Sequence, residues 1–363
     1  MNQILMIIMA AGAIVGGFDR IRGNRWGYGA KFEEGFQLLG STALSMAGMI
    51  CLAPVLADVL GKAVVPFYQM IGVDPGMFGS LLAIDMGGYQ LAKELAVDAQ
   101  IGSYAGIVAA SIFGCTVVFT IPVGMGMIRE EDRRCFARGI MLGLVTMPVG
   151  LIMGGVLAGL SVPVCIWQNI PVLVLAALLL LGLWKIPESM IRGFCVFAKG
   201  IRFIITIGLV LGAVEYLCGI QLVRGMTPLT EAMEVVAGIG IVMLGSLPVT
   251  EFLQRLLKKP FEMLGKKVGI NAAGMTGLLV GAVSVIPALS MYQEMDDKGK
   301  VVNAAFLVSA ASMLAAHIGF TFGTQPQLLG ALIGAKISGA AAAVAAVFMI
   351  EIAFRKGNGY TIT

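Results

Sequence analysis

Charge is scarce in this sequence. Only 13% of its 363 residues are Asp, Glu, Lys or Arg, against roughly a quarter in an ordinary soluble domain. With 25 Lys and Arg and 21 Asp and Glu, a water-soluble fold of this length would have no adequate polar exterior. Histidine occurs once, as His317, so no zinc constellation is available and no metal site is expected. The six cysteines, Cys51, Cys115, Cys135, Cys165, Cys195 and Cys218, have no CxxC spacing and read as small apolar packing residues. Residues 1–17 hold no Lys or Arg, unlike the basic start of a secretory signal, and read as a retained first helix at the short end of a membrane span. The net charge of +4 falls in short runs between apolar stretches, which excludes a nucleic-acid surface. No motif calls for a cofactor.

Apolar residues are abundant: 58% of the chain is hydrophobic and the mean hydropathy is +0.92. Runs of about twenty such residues, enough to cross a bilayer, occur at Phe36–Leu60, Ile101–Ile128, Arg138–Leu160, Pro163–Trp184, Arg202–Cys218, Met233–Leu253, Val301–Phe322 and Gln327–Phe354. Two more, Pro75–Leu95 and Asn271–Tyr292, are interrupted by Gly, Pro and acidic residues and fit short re-entrant hairpins. The expected fold is an all-α integral membrane protein, a polytopic helix bundle of about nine full spans, the first helix included, with two re-entrant hairpins in an inverted repeat.

Short cytoplasmic loops collect Lys and Arg. Treating Pro75–Leu95 as a hairpin puts every main basic group on one side: Arg20, Arg22, Arg25 and Lys31; Arg129, Arg133 and Arg134; Lys185, Arg192 and Lys199; Arg255, Lys258, Lys259, Lys266 and Lys267; and Arg355 and Lys356. Treating it as a full span sends two of those loops outside. The rule therefore predicts N-terminus out and C-terminus in.

Internal similarity points the same way. Pro54, Pro66 and Phe67 match Pro248, Pro260 and Phe261 at an offset of 194; Gly76, Met77, Gly79 and Leu81 match Gly274, Met275, Gly277 and Leu279 at 198; Ser111, Phe119 and Thr120 match Ser312, Phe320 and Thr321 at 201. The predicted organisation is a first helix and cytoplasmic loop over 1–35, repeat 1 over 36–160 with its hairpin near 75–95, connecting helices over 161–232, repeat 2 over 233–354 with its hairpin near 271–292, and a tail over 355–363. Entered from opposite faces, such repeats with broken segments at matching places are the signature of a secondary transporter with a midplane site.

Ionisable side chains inside a bilayer are costly and face a cavity, a partner or a substrate. Asp85 lies beside Gly87 and Gly88, which free the backbone to turn and to approach a ligand. Its carboxylate suits a small ammonium, and Tyr89 offers a cation–π face. The structural alternative is that Asp85 caps a half-helix or pairs with Lys93 or Lys336. His317 titrates near neutrality and suits a substrate hydroxyl or a proton relay, or else serves as a structural donor. Lys336 sits mid-span, too far from either end to snorkel, and calls for a carboxylate such as Asp85, Glu94 or Glu294, as an ion pair or gate. Gln90 and Asn303 add hydroxyl partners. GxxxG pairs, Gly150/Gly154 among them, indicate close helix packing. No base, nucleophile and oxyanion hole fall together as an intramembrane protease would require, so no enzyme is expected.

The stretches Ala43–Ala57, Asp85–Gly88 with Leu91–Leu95, Met295–Val301 and His317–Phe320 together closely resemble the ethanolamine utilisation permease family, EutH, along nearly the whole chain. The resemblance implies a bacterial inner-membrane permease that imports ethanolamine for a cobalamin-dependent ammonia-lyase of the same catabolic pathway. The alternatives are a transporter or channel for another small amine or neutral solute, and a non-transporting membrane anchor or sensor. The partners implied are ethanolamine and the lipid bilayer, with homo-oligomerisation expected where a rocking repeat needs a fixed scaffold.

Overall fold

A computed structural model describes residues 2–83 and 87–357. Its helices are α1 (Asn2–Ile21), α2 (Tyr28–Met70), α3 (Gly88–Leu95), α4 (Ala99–Tyr104), α5 (Ile121–Met127), α6 (Arg133–Leu157), α7 (Val162–Gln168), α8 (Ile170–Lys185), α9 (Pro187–Cys218), α10 (Leu229–Val268), α11 (Ala272–Gly281), α12 (Val285–Ser290), α13 (Asp297–Ala310), α14 (Ile318–Thr324) and α15 (Leu329–Gly357). Helix α4 passes through two π-helical stretches, Ala105–Gly114 and Thr116–Thr120, into α5. Among the described residues, eight helices are long and apolar enough to cross a membrane; α7 and α8, bent by 52°, would together make a ninth.

Two helices are far longer than the apolar runs within them. Helix α2 has 43 residues and α10 has 40, about 60 Å each at 1.5 Å per residue, twice a hydrocarbon core of about 30 Å. The cytoplasmic loop expected within 1–35 is therefore only a turn over residues 22–27, and the basic stretch after Leu253 is helical to Val268. Lys, Glu, Arg and Leu are good helix formers, so both helices continue past their apolar segments. Buried Asp19 closes the turn, accepting from the Trp26 and Gly29 N–H groups at 2.9 Å each. Arg255 of α10 donates to the Trp26 carbonyl at 2.7 Å and lies over the Tyr28 ring at 4.8 Å.

The segments expected as hairpins contain only short elements: a 3-10 turn over Pro75–Leu81 with α3, and α11 with α12. The longest of these, α11, has 10 residues and reaches about 15 Å, half a bilayer core. The two runs that follow, Ala99–Met127 and Asp297–Thr324, are the most enclosed of the eight apolar spans. Residues such as Ile107, Val108, Val302 and Val308 are fully buried, which puts these runs at the centre of the bundle.

Glycines bring α6 against both neighbours. Backbone positions Gly139 and Gly143 face Val301–Val308 of α13, while Gly150 and Gly154 face Ala331–Gly339 of α15, as small-xxx-small packing predicts. The ends are held by charge. Lys300 meets Asp132 at 2.6 Å with both side chains mostly buried, and Lys298 bridges to Glu351 at 2.6 Å. Cys51, Cys115 and Cys165 are buried, and all six cysteines are free thiols, consistent with apolar packing residues.

Candidate functional site at the hairpin tips

Each short-helix segment is closed at its base by a polar side chain. Asp74 accepts from Gly76 N–H at 2.7 Å, Asp98 N–H at 2.8 Å and Val97 N–H at 3.1 Å, so one carboxylate joins the entry of the first segment to its exit. In the second, Asn271 accepts from Gly274 N–H and donates to the Glu294 carbonyl, both at 2.8 Å. Asp296 accepts from Asn271 N–H at 3.1 Å. Asp98 stands at the N-cap of α4 and Asp296 at that of α13, 198 residues apart in sequence.

The tips meet the two central runs where those runs are irregular. Leu82 is extended, Gly88 N–H bonds to the Ala83 carbonyl at 3.1 Å, and Gly87 takes φ +85°, a conformation open to glycine at little cost. Gly114, in the first π stretch, faces the Leu82 carbonyl so closely that any Cβ would collide with it. On the other side α13 ends at Ala310, Ser312 turns to φ +52°, and a π turn runs over Met313–His317. The Ser312 N–H reaches the Gly281 carbonyl at 3.1 Å and the Leu314 N–H the Ala282 carbonyl at 2.7 Å. Backbone groups released by the break are thus taken up by the tip of the second segment, which is how broken helices persist in a dry interior. π-helical stretches occur frequently at functional sites.

Tyr89 connects the two sides. Its hydroxyl accepts from Gln325 Nε2 at 2.9 Å, and its ring stands edge-on to Phe320 with centroids 5.8 Å apart. Gln327 donates to Gln325, so a polar chain leads from the end of α14 to the start of α3. His317 and Thr321, one turn apart, share a helix face and are buried. The Nδ1 of His317 and the hydroxyls of Thr321, Thr120, Ser246 and Ser309 are enclosed without a hydrogen-bond partner in the protein. Unsatisfied polar atoms at this depth are costly.

A model of the family described as ethanolamine utilisation protein, EutH, matches residues 1–350. The chain belongs to the EutH family. A protein of Listeria monocytogenes named "probable ethanolamine permease EutH" is 42% identical over 360 residues, covering 98% of this chain and 96% of its own. The Salmonella typhimurium protein of the same name is 39% identical, covering 96% of this chain and 95% of its own. An uncharacterized Bacillus subtilis protein, YxeR, is 40% identical over 95% of this chain and 94% of its own. No solved structure matches.

In this EutH-family chain the expected site residues fall into distinct places. Asp85 lies outside the described residues. Gly87, Gly88 and Tyr89 are buried at the start of α3 and Gln90 is half-buried. Lys93, Glu94 and Glu294 are exposed. Lys336 is fully enclosed, donating to the carbonyls of Ser111 at 2.9 Å and of Ser309 and Ala311 at 3.1 Å each. The expectation of a Glu94 or Glu294 partner is therefore corrected: three backbone carbonyls beside the helix break accept from the ammonium, while those two carboxylates face outward.

The Asn303 amide N–H groups donate to the Gly274 and Gly299 carbonyls at 2.7 and 2.8 Å, clamping α11 to α13, while its Oδ1 is enclosed without a hydrogen-bond partner in the protein. Gln325, Thr120, Thr321 and Ser246 were not anticipated. Thr120 and Thr321 had a visible signal, since they fall at the 201-residue offset already noted in the sequence; Gln325 had none, because its partner is 236 residues away in the chain.

Proposed function

We propose that this chain is a permease that brings ethanolamine into the bacterial cell by alternating access, supplying its catabolism. The observation that carries this reading is the hydrogen bond between Tyr89 and Gln325, with the Thr321 hydroxyl enclosed without a partner one turn before Gln325. Ethanolamine at neutral pH is a two-carbon ammonium with one hydroxyl. Its ammonium is assigned to the Asp85 carboxylate and the Tyr89 ring, with Gly87 and Gly88 allowing the backbone to approach and Gln90 as an accessory hydroxyl partner. Its hydroxyl is assigned to His317, with Thr321 beside it. The segments 36–160 and 233–354 act as inverted repeats, entered with the N-terminus outside and the C-terminus in the cytoplasm, and they rock so that each hairpin closes one side of the site. Lys93, Glu94 and Glu294, at the exposed margins, belong to gating at the entrances. A homo-oligomer would supply the fixed scaffold.

The membrane potential favours entry of a cation by about 2.3 kcal/mol per 100 mV, so the reading requires no coupled proton. Purified protein in proteoliposomes with the interior negative should accumulate labelled ethanolamine, and Asp85→Asn should abolish uptake while leaving the protein expressed and monodisperse. Undiminished uptake by Asp85→Asn would sink the site assignment. Competition by choline, ammonium and alaninol separates ethanolamine from a second reading, a permease for another small amine.

A further inference from the structure

Three helices change from apolar to charged at one level. Helices α1 and α10 lie against each other, with Gly12 facing the Gly245 carbonyl and Gly16 facing Pro248. Beyond that contact α1 reaches Asp19 and Arg20, α10 reaches Glu251 and Arg255, and α2 begins, with Lys31, Glu33 and Glu34 in its first turns. The turn between α1 and α2 is tightly built. Fully buried Asp19 holds it through the Trp26 and Gly29 N–H groups, and at Gly27, with φ +82°, the Arg255 guanidinium stands 2.8 Å from where a Cβ would be. The turn displays an exposed Trp26 and Arg22, whose guanidinium lies over the Phe18 ring at 5.5 Å and the Trp26 ring at 5.3 Å. Other cations here are neutralised: Arg20 by Glu33 at 2.6 Å, Lys31 by Glu34 and Arg255 by Glu251 at 2.7 Å each. Arg22, Lys258 and Lys259 are exposed, and among the described residues no carboxylate lies within ion-pairing distance of them. Lys258 and Lys259 come three and four residues after Arg255 and Phe252 three before it, so all lie on the turns adjoining Arg255. Phe252 and Leu256, one turn apart, are exposed as well.

We propose that this platform binds an anionic phospholipid, its phosphate held by Arg22, Lys258 and Lys259, with Trp26 at headgroup level and an acyl chain along Phe252 and Leu256. The inference needs only that the chain spans a bilayer, so it is independent of the permease reading. Arginine offers a phosphate a planar fork of donors, and stacking on two rings orients that fork while leaving its edge free. The two lysines add compact charges. Tryptophan settles at the membrane interface, which is where the apolar runs of α1 and α10 give way to charge. Each basic residue near an anionic lipid surface contributes about fivefold in binding. A soluble anion would gain nothing from the exposed Phe252 and Leu256 beside those charges, whereas a lipid uses both.

The test is native mass spectrometry of the full chain in detergent, titrated with phosphatidylglycerol, phosphatidylcholine or glycerol 3-phosphate, with the Tm measured in parallel. Phosphatidylglycerol should bind at least tenfold more tightly than phosphatidylcholine and raise the Tm. Glycerol 3-phosphate, which carries the phosphate without acyl chains, should do neither. Raising the salt from 0.1 to 1 M, which shortens the Debye length from about 10 to about 3 Å, should remove most of the preference. The combined change Arg22→Gln, Lys258→Gln and Lys259→Gln should abolish it, while Lys62→Gln, an exposed position toward the far end of α2, should leave it intact. Equal binding of the two lipids by wild type overturns the proposal, as does a preference that survives the triple change in monodisperse protein. A Tm rise with glycerol 3-phosphate equal to that with the lipid assigns the cations to a soluble anion and overturns it. An altered oligomeric state with unchanged lipid preference assigns the face to a second copy of the chain and overturns it too. Should the triple change fail to fold, Arg22→Gln alone, expected to lose at least threefold in phosphatidylglycerol binding, decides in the same way.

Discussion

The hydroxyl of Tyr89 accepts a hydrogen bond from the side-chain amide of Gln325 at 2.9 Å, linking the start of α3 to the end of α14. Tyr89→Phe deletes that bond and keeps the ring against Phe320. One hydrogen bond is worth about 0.5–1.5 kcal/mol, so KM for ethanolamine uptake should rise roughly two- to tenfold with expression unchanged. Gln325→Ala should act alike, and the double variant should be no worse than the more severe single one. Additive losses would mean that the two side chains act separately.

Lys300 and Asp132 meet at 2.6 Å with side chains only 11% and 8% exposed. Removing one member of such a pair leaves the other charge buried and costs about 3 kcal/mol. Asp132→Asn should therefore lower the Tm in detergent by several degrees, whereas Asp132→Leu with Lys300→Met should restore most of the loss. Equal destabilisation by the single and double changes would assign the effect to packing.

Cys218, at the end of α9, is the exposed member of the six free cysteines. With the N-terminus outside, the loop after it lies outside too. A membrane-impermeant maleimide should label it in intact spheroplasts, and Cys218→Ser should remove that signal. Labelling that appears only after permeabilisation would reverse the proposed topology.

Hydropathy and glycine spacing made much of the fold legible. Each predicted span contains or overlaps an apolar helical run of the structure, α7 and α8 as a bent pair, because about twenty apolar residues have few alternatives in lipid. The same runs underestimated α2 and α10, since apolarity marks where a helix meets lipid and says nothing of where helix-forming polar residues let it end. The GxxxG pairs of α6 found their neighbours, since small residues permit close approach whatever the partner. At Asn303 the sequence does not show that both amide donors are spent on Gly274 and Gly299 while the oxygen is enclosed without a partner, because an amide looks alike whichever of its groups are engaged.

Composition by itself determined that this chain belongs in a membrane, and the residue blocks determined its likeness to a permease family. Only the tertiary structure decided what surrounds Lys336 and what Tyr89 touches. Three of the groups that accept from that ammonium are backbone carbonyls, and every residue has one; which of them are free to accept depends on a π stretch and a helix break that side-chain identity does not encode. The Tyr89–Gln325 contact likewise joins residues 236 positions apart, a proximity set by how the two central runs cross and not by any local pattern.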